Sequence, residues 1–133
     1  MELCLSATKR FSRALAAAIG GIKYLYIRAG TEHRFIPIWV VVVDGRVFVR
    51  PWNDKARGWY RAFLSDATGA IQVDGSDVPV RARRVRGERL NDDVDAAYAH
   101  KYTTKANQKY VKGFATAKRR ATTMELVPGP ANV

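Results

Sequence analysis

Between Phe48 and Leu64 the sequence reads FVRPWNDKARGWYRAFL. Directly after a strand-like run it presents Arg50, Trp52, Asn53, Lys55, Arg57 and Trp59. Guanidinium and ammonium groups that converge on one anion gain charge-assisted hydrogen bonds of about 1.5–3 kcal/mol each. Indoles beside them offer flat apolar walls to a planar ring. The stretch thus has the residue types to hold a phosphate next to an aromatic system. A solvated rim in which Asp54 pairs with Lys55 or Arg57 uses the same residues, and both readings stand at this point. Trp59 and Tyr60 share helical spacing with Phe63 and Leu64, which suits core anchors better than ring-stacking groups.

A second cationic feature lies near the C-terminus. Lys101, Lys105, Lys109 and Lys112 recur at i, i+4 and i, i+3 spacing, and Lys118, Arg119 and Arg120 follow. On one continuous helix these lysines form a ridge suited to a nucleic-acid backbone, with the salt dependence of counterion release. A solvated face broken at Thr103-Thr104 is the plainer alternative. No RNA-recognition or helix-turn-helix signature accompanies the run.

Side chains for covalent or metal chemistry are scarce. There is no G-x-S-x-G, Cys4 stands near the terminus, and two histidines with one cysteine make a poor zinc set. Glu32, Asp92, Asp93 and Asp95 fit turns and a helix start better than acid–base pairs. If the protein is an enzyme, a bound cofactor carries the reaction and the chain supplies position and field.

The elements that must position these groups can be read from pattern. The chain has 133 residues, 47% hydrophobic and 26% charged, which suits one globular domain over 1–133. Lys and Arg total 23 against 12 Asp and Glu, for a net charge of +11 that attracts polyanions. The single cysteine excludes an internal disulfide. The apolar segment Ala14 to Ile22 is too short for a membrane span and poor as a signal peptide, so a cytoplasmic location is expected. Residues 1–21 form an N-terminal helical segment, with a helix over Lys9 to Ile19 stopped by Gly20-Gly21. Strands are expected over Ile22–Ala29, Arg34–Val43, Arg46–Arg50, Ala70–Val73, Val78–Val85 and Thr122–Pro128. Pro37 marks an edge or a bulge within the second of them. Asp44-Gly45 and Asp74-Gly75 are tight-turn signals. Helices are expected over Asp54–Asp66, capped by Asp54, and from Asn91 as cap to Gly113 at the latest. The sum is a mainly β fold with flanking helices, a small, partly open barrel of about six strands over 22–128.

The combination IPIWVVVVDGRVFVR, GWYRAFL, DAAYAHKY and TTMELVP resembles the flavin-binding split barrels. That superfamily includes pyridoxamine-phosphate oxidase and the deazaflavin-dependent nitroreductases, and the chain is most similar to an uncharacterised bacterial family within it. The resemblance implies FMN or a deazaflavin as cofactor, a homodimer, and hydride or electron transfer to a small organic acceptor. By it, Arg34, Arg50, Lys55 and Arg57 would hold the phosphate, Trp39, Trp52 and Asn53 would border the ring, and Tyr98 and Tyr102 would face the substrate. The sequence departs from the superfamily at Pro51, where relatives place a Ser or Thr hydroxyl. The alternative is a barrel without cofactor that acts as a basic binding module for nucleic acid or another polyanion, through Lys101, Lys105, Lys109, Lys112, Arg119 and Arg120.

Overall fold

A computed structural model describes residues 10–31, 33–52 and 58–129. Its centre is one antiparallel sheet of seven strands, one more than the pattern suggested. In chain order these are β1 (Leu25–Ala29), β2 (Ile36–Ile38), β3 (Val41–Val43), β4 (Arg46–Val49), β5 (Thr68–Val73), β6 (Ser76–Arg84) and β7 (Met124–Pro128). The extra strand arises because the expected Arg34–Val43 strand is broken at Trp39 and Val40. The spatial order is β2-β1-β5-β6-β7-β4-β3, which places β2 on one edge and β3 on the other. Only two residues separate these edge strands in sequence, so the sheet curls until its edges nearly meet. The result is a half-barrel of split-barrel type. Pro37 sits on the edge strand β2 opposite Tyr26, where its missing N–H interrupts no inner ladder.

Both tight turns form as the sequence predicts. Asp44 and Gly45 have φ of 50° and 77°, and Asp74 and Gly75 have 51° and 80°, the left-handed pair of a type I′ hairpin. Alternation in β4 then divides the core. Val47 and Val49 face the barrel interior with Ile27, Ile71, Val80 and Leu126, closed off by Ile19 and Phe63 from the flanking helices. Phe48 faces the other way, into a second layer with Val94, Tyr98, Tyr102, Val111 and Phe114.

The flanking helices depart from expectation in their limits. Helix α1 spans Arg13–Gly21 and starts at Ser12, whose hydroxyl accepts from the Leu15 N–H. Helix α2 spans Trp59–Ser65 with Gly58 before it, and the expected Asp54 cap lies outside the described residues. Helix α3 spans Glu88–Lys101 and begins after Gly87, so Asn91 falls inside its first turn rather than at its cap. The helix ends at Lys101, with Tyr102 as its C-cap. A single 3-10 turn (Lys105–Asn107) leads to α4 (Gln108–Phe114) and a short α5 (Ala117–Arg120). The continuous lysine ridge therefore does not form, because its lysines are divided among separate elements.

The break between β2 and β3 has its own polar partners. Val40 is fully buried, and its N–H donates to the Tyr102 hydroxyl at 3.1 Å. That hydroxyl has one proton, and the Lys23 carbonyl at 2.7 Å is its better acceptor than the Val40 carbonyl at 3.2 Å. The Val40 carbonyl takes Lys101 Nζ at 2.8 Å instead. Trp39 stacks on Tyr102 at 3.9 Å between centroids and 2° between planes. Tyr102→Phe leaves the buried Val40 N–H unpaired and should cost about 1–3 kcal/mol, read from urea unfolding; a variant as stable as the parent would show that the bend needs no cap. Burial holds the Lys101 ammonium down from 10.5 to about 8. The unfolded chain thus binds the extra proton between pH 8 and 10.5, and this group's contribution rises with pH across that window. Tyr102, pushed up from 10.0 to about 12 mainly by burial, acts oppositely above pH 10. Stability should accordingly climb from pH 8 to 10 more steeply in the parent than in Lys101→Met, and parallel curves would refute the linkage.

Candidate functional site

Where β4 ends, the chain passes Arg50 and Pro51 and turns out to Trp52. Arg50 is 1% exposed, and its side chain runs into the helical layer rather than to solvent. Its Nε donates to Thr123 Oγ1 at 2.7 Å. Nη1 donates to Asp95 Oδ1 at 2.5 Å and to the Phe114 carbonyl at 2.8 Å. Nη2 donates to the Asn91 carbonyl at 3.2 Å and to Asn91 Oδ1 at 3.0 Å. Five N–H groups meet five acceptors, which is the full capacity of a guanidinium. Asp95 also accepts from Arg120, which in turn pairs with Asp92 at 3.0 Å and Glu88 at 3.5 Å.

Around this anchor opens a cleft of about 520 Å³, within the range that holds cofactor-sized ligands. One side is strand β2 with Trp39 at its end. Next to Trp39 stand Tyr110 and Phe114 of α4 and then Trp52, and Asn107 with Gly58 and Trp59 at the start of α2 completes the lining. Tyr24, nearly half exposed, stands at the rim. The rings support one another: Trp39 lies 6.0 Å from Tyr110 and 5.7 Å from Phe114, and Trp52 meets both residues of α4 edge-on at 5.1 and 5.3 Å.

The structure places Trp39 and Trp52 on the same cleft, and Trp59 packs against the barrel core as its helical spacing predicts while also lining the cleft. Tyr24 and Tyr110 escaped it entirely, since no local motif links residues so distant in the chain. Other expectations are corrected. Arg50 borders the cleft, but its guanidinium is engaged within the fold and has no N–H left for a phosphate. Arg34 is exposed and lines an adjoining hollow of about 180 Å³ with Arg28 and His33, which shares Ile36, Gly58 and Trp59 with the cleft. Asn53, Lys55 and Arg57 lie outside the described residues. Tyr98 and Tyr102, 1% and 3% exposed, are buried behind the cleft wall, where Tyr98 stacks on Phe114 at 4.9 Å and Tyr102 on Trp39. Burial raises the pKa of the Tyr98 hydroxyl well beyond the ordinary value, with the neighbouring Arg50 opposing the shift.

The basic run is likewise committed in part. Lys101 caps Val40, Arg119 donates to the carbonyls of Trp52 and Gly113, and Arg120 is ringed by three carboxylates. Lys105, Lys109 and Lys112 are exposed. Among the described residues, no cluster of His, Cys, Asp and Glu is arranged to hold a metal, and no helix is long and apolar enough to cross a membrane.

Fold and cleft together define a split-barrel-type half-barrel with an aromatic ligand-sized groove. Residues 17–126 match the family described as uncharacterized protein conserved in bacteria (DUF2255), and the chain belongs to that family. The chain has no match among the curated proteins. Several solved structures share its fold, among them the following two. A conserved hypothetical protein from Mycobacterium tuberculosis matches with a TM-score of 0.55 at 14% identity, over 95% of this chain and 84% of that one. A protein from Mesorhizobium loti described as FAD-binding matches with a TM-score of 0.54 at 10% identity, over 90% and 91%.

Arg50→Lys tests the anchor. An ammonium has three donors and no fork, so it cannot serve five acceptors spread over three segments. The variant should lose on the order of 3 kcal/mol in chemical unfolding. Parent-like stability would show that the network is incidental.

Proposed function

We propose that the cleft binds the ring of a flavin-type cofactor, FMN or a deazaflavin, and that the protein is an oxidoreductase acting on a small organic acceptor. The observation that carries this reading is the set of three indoles, Trp39, Trp52 and Trp59, on one groove of about 520 Å³. A planar tricyclic ring suits such walls, because stacking against indole adds to the area it removes from water. The fold shared with an FAD-binding protein supports the same reading.

Fit to the ring is good, while fit to a phosphate is not provided by the described lining. Its one cation, Arg50, is engaged inside the fold. The five residues between the lining positions Trp52 and Gly58 carry Asn53, Lys55 and Arg57, and the proposal gives the phosphate to the two cations. Bound there, the cofactor would supply hydride or electron transfer, which no side chain of the cleft offers. Trp39 and Trp52 would border the ring and exclude water. The buried Tyr98 and Tyr102 act as backing for these walls, through Phe114 and Trp39, rather than as groups touching substrate.

Titration of the full chain with FMN, FAD and a deazaflavin, followed by tryptophan quenching, tests this. At least one should bind, and Trp39→Ala and Trp52→Ala should each weaken it about tenfold, as stacked aromatic contacts worth about 1–3 kcal/mol require. A colourless preparation that shows no quenching with any of the three refutes the proposal.

A further inference from the structure

Grooves lined by several aromatic rings commonly select cations, because ring faces are electronegative. This groove has the rings but lacks the other features of a cation site. No Asp or Glu stands among its described lining residues. One face of its most exposed indole is already taken. Arg119 holds its guanidinium carbon 3.8 Å from the Trp52 ring centroid. The same side chain donates from Nε to the Trp52 carbonyl at 2.7 Å and from Nη1 to the Gly113 carbonyl at 3.1 Å. Gly113 makes room for this stack, since a Cβ there would fall 2.5 Å from Trp52 Cη2. Trp52 stays 40% exposed, and Arg119 does not line the cleft, so the cation backs the indole from outside.

The electrostatic consequence follows directly. A guanidinium on one face opposes the negative potential that the ring would offer a cation on the other. Arg50 lies behind the groove with its charge paired to Asp95, and the chain carries +11 overall. Arg119 and the overall charge disfavour a positive ligand, and neither penalises a flat neutral one.

We propose that the cleft selects neutral or anionic planar aromatic ligands over cationic ones, and that Arg119 is the positioning residue that sets this preference through Trp52. This rests on the cleft being the ligand site proposed above, and it concerns charge class rather than any one cofactor. It separates the groove from a cage for quaternary ammonium or methylated lysine, which its rings alone would suggest.

Calorimetric titration of the full chain with planar tricyclic probes of matched size decides it: acridone as the neutral probe, acridine-9-carboxylate as the anion and proflavine as the cation, with riboflavin, FMN and choline alongside. The neutral and anionic probes should bind at least about tenfold more tightly than proflavine, the scale a like charge imposes across a stacked ring in a partly buried site. Arg119→Gln should reduce that ratio to about threefold or less, while Arg119→Lys keeps it. A structural defect lowers all affinities together and leaves the ratio unmoved, so the ratio reports charge selection. Should Arg119→Gln fail to fold, the parent's ratio decides charge selection, and Arg119→Met, which keeps an uncharged stem over Trp52, decides the part of Arg119 by the same criterion. Proflavine or choline binding as well as acridone overturns the inference, as does an unchanged ratio in folded Arg119→Gln. Binding of acridone and its carboxylate analogue without riboflavin or FMN refutes the flavin reading and supports charge selection. Binding of no probe refutes both.

Discussion

Arg50 joins four segments that are far apart in sequence: the exit of β4, the first turns of α3, the end of α4 and the entry to β7. Its five donors reach Thr123, Asp95, Asn91 and the Phe114 carbonyl, and Thr123 Oγ1 donates in turn to Asn91 Oδ1 at 2.8 Å. Desolvating a guanidinium and a carboxylate costs several kcal/mol, so such a pair adds little net stability over a well-packed apolar core. What it does add is direction. Any arrangement of α3, α4 and β7 that misplaces one acceptor strands a buried donor, and that is strongly unfavourable. The turn through Pro51 to Trp52 is thereby fixed, and with it one wall of the cleft.

The part of the lining around Trp39 depends on the bend at Trp39 and Val40. A strand that begins on one edge of the sheet and ends on the other must leave the ladder between them. The backbone groups freed at that point need partners in a dry environment. Tyr102 and Lys101 supply them from the end of α3, and Tyr102 stacks on Trp39 as it does so. The helical layer therefore sets both parts of the lining, through Arg50 at Trp52 and through Tyr102 at Trp39. The end of α3 at Lys101 is part of the same arrangement, because it returns Tyr110 and Phe114 to the cleft instead of carrying them away along a longer α3.

These relations explain which features could be read from the sequence. Asp44-Gly45 and Asp74-Gly75 were legible because few residue pairs tolerate two successive left-handed conformations. Pro37 announced an edge strand for an equally local reason. The break at Trp39 and Val40 was hidden, since IPIWVVVV reads as one uninterrupted strand and the partners of the bend lie some sixty positions away. Asn91 was misplaced as a helix cap because its side chain serves Arg50 and Gly87 from within the first turn. Arg50 itself shows the limit most clearly. An arginine at a strand end looks the same in sequence whether it points to solvent or to the core, and only the carboxylate of Asp95 on the facing helix decides. Trp39 and Trp52 were legible as candidate walls by residue type. Tyr24, Tyr110 and the backing role of Arg119 depend on curl and helix return, which no short motif encodes.

Of the charge of +11, the described residues bring only the internally paired Arg50 to the lining of the cleft, while Arg28 and Arg34 stand in the hollow that adjoins it. Arg50 points away behind the wall, and Arg119 covers the outer face of Trp52. Field and contact are thus separated. Apart from Asn107 and the internally paired Arg50, the side chains lining the groove are aromatic and aliphatic, so a flat ring can be covered there without desolvating a free charge against it, a step that would otherwise weaken binding. The positive potential still reaches the groove, because Coulomb interactions decay slowly where water is excluded. A molecule in the cleft would meet apolar walls and a positive field together, so shape and charge would be selected by different residues and could be altered independently.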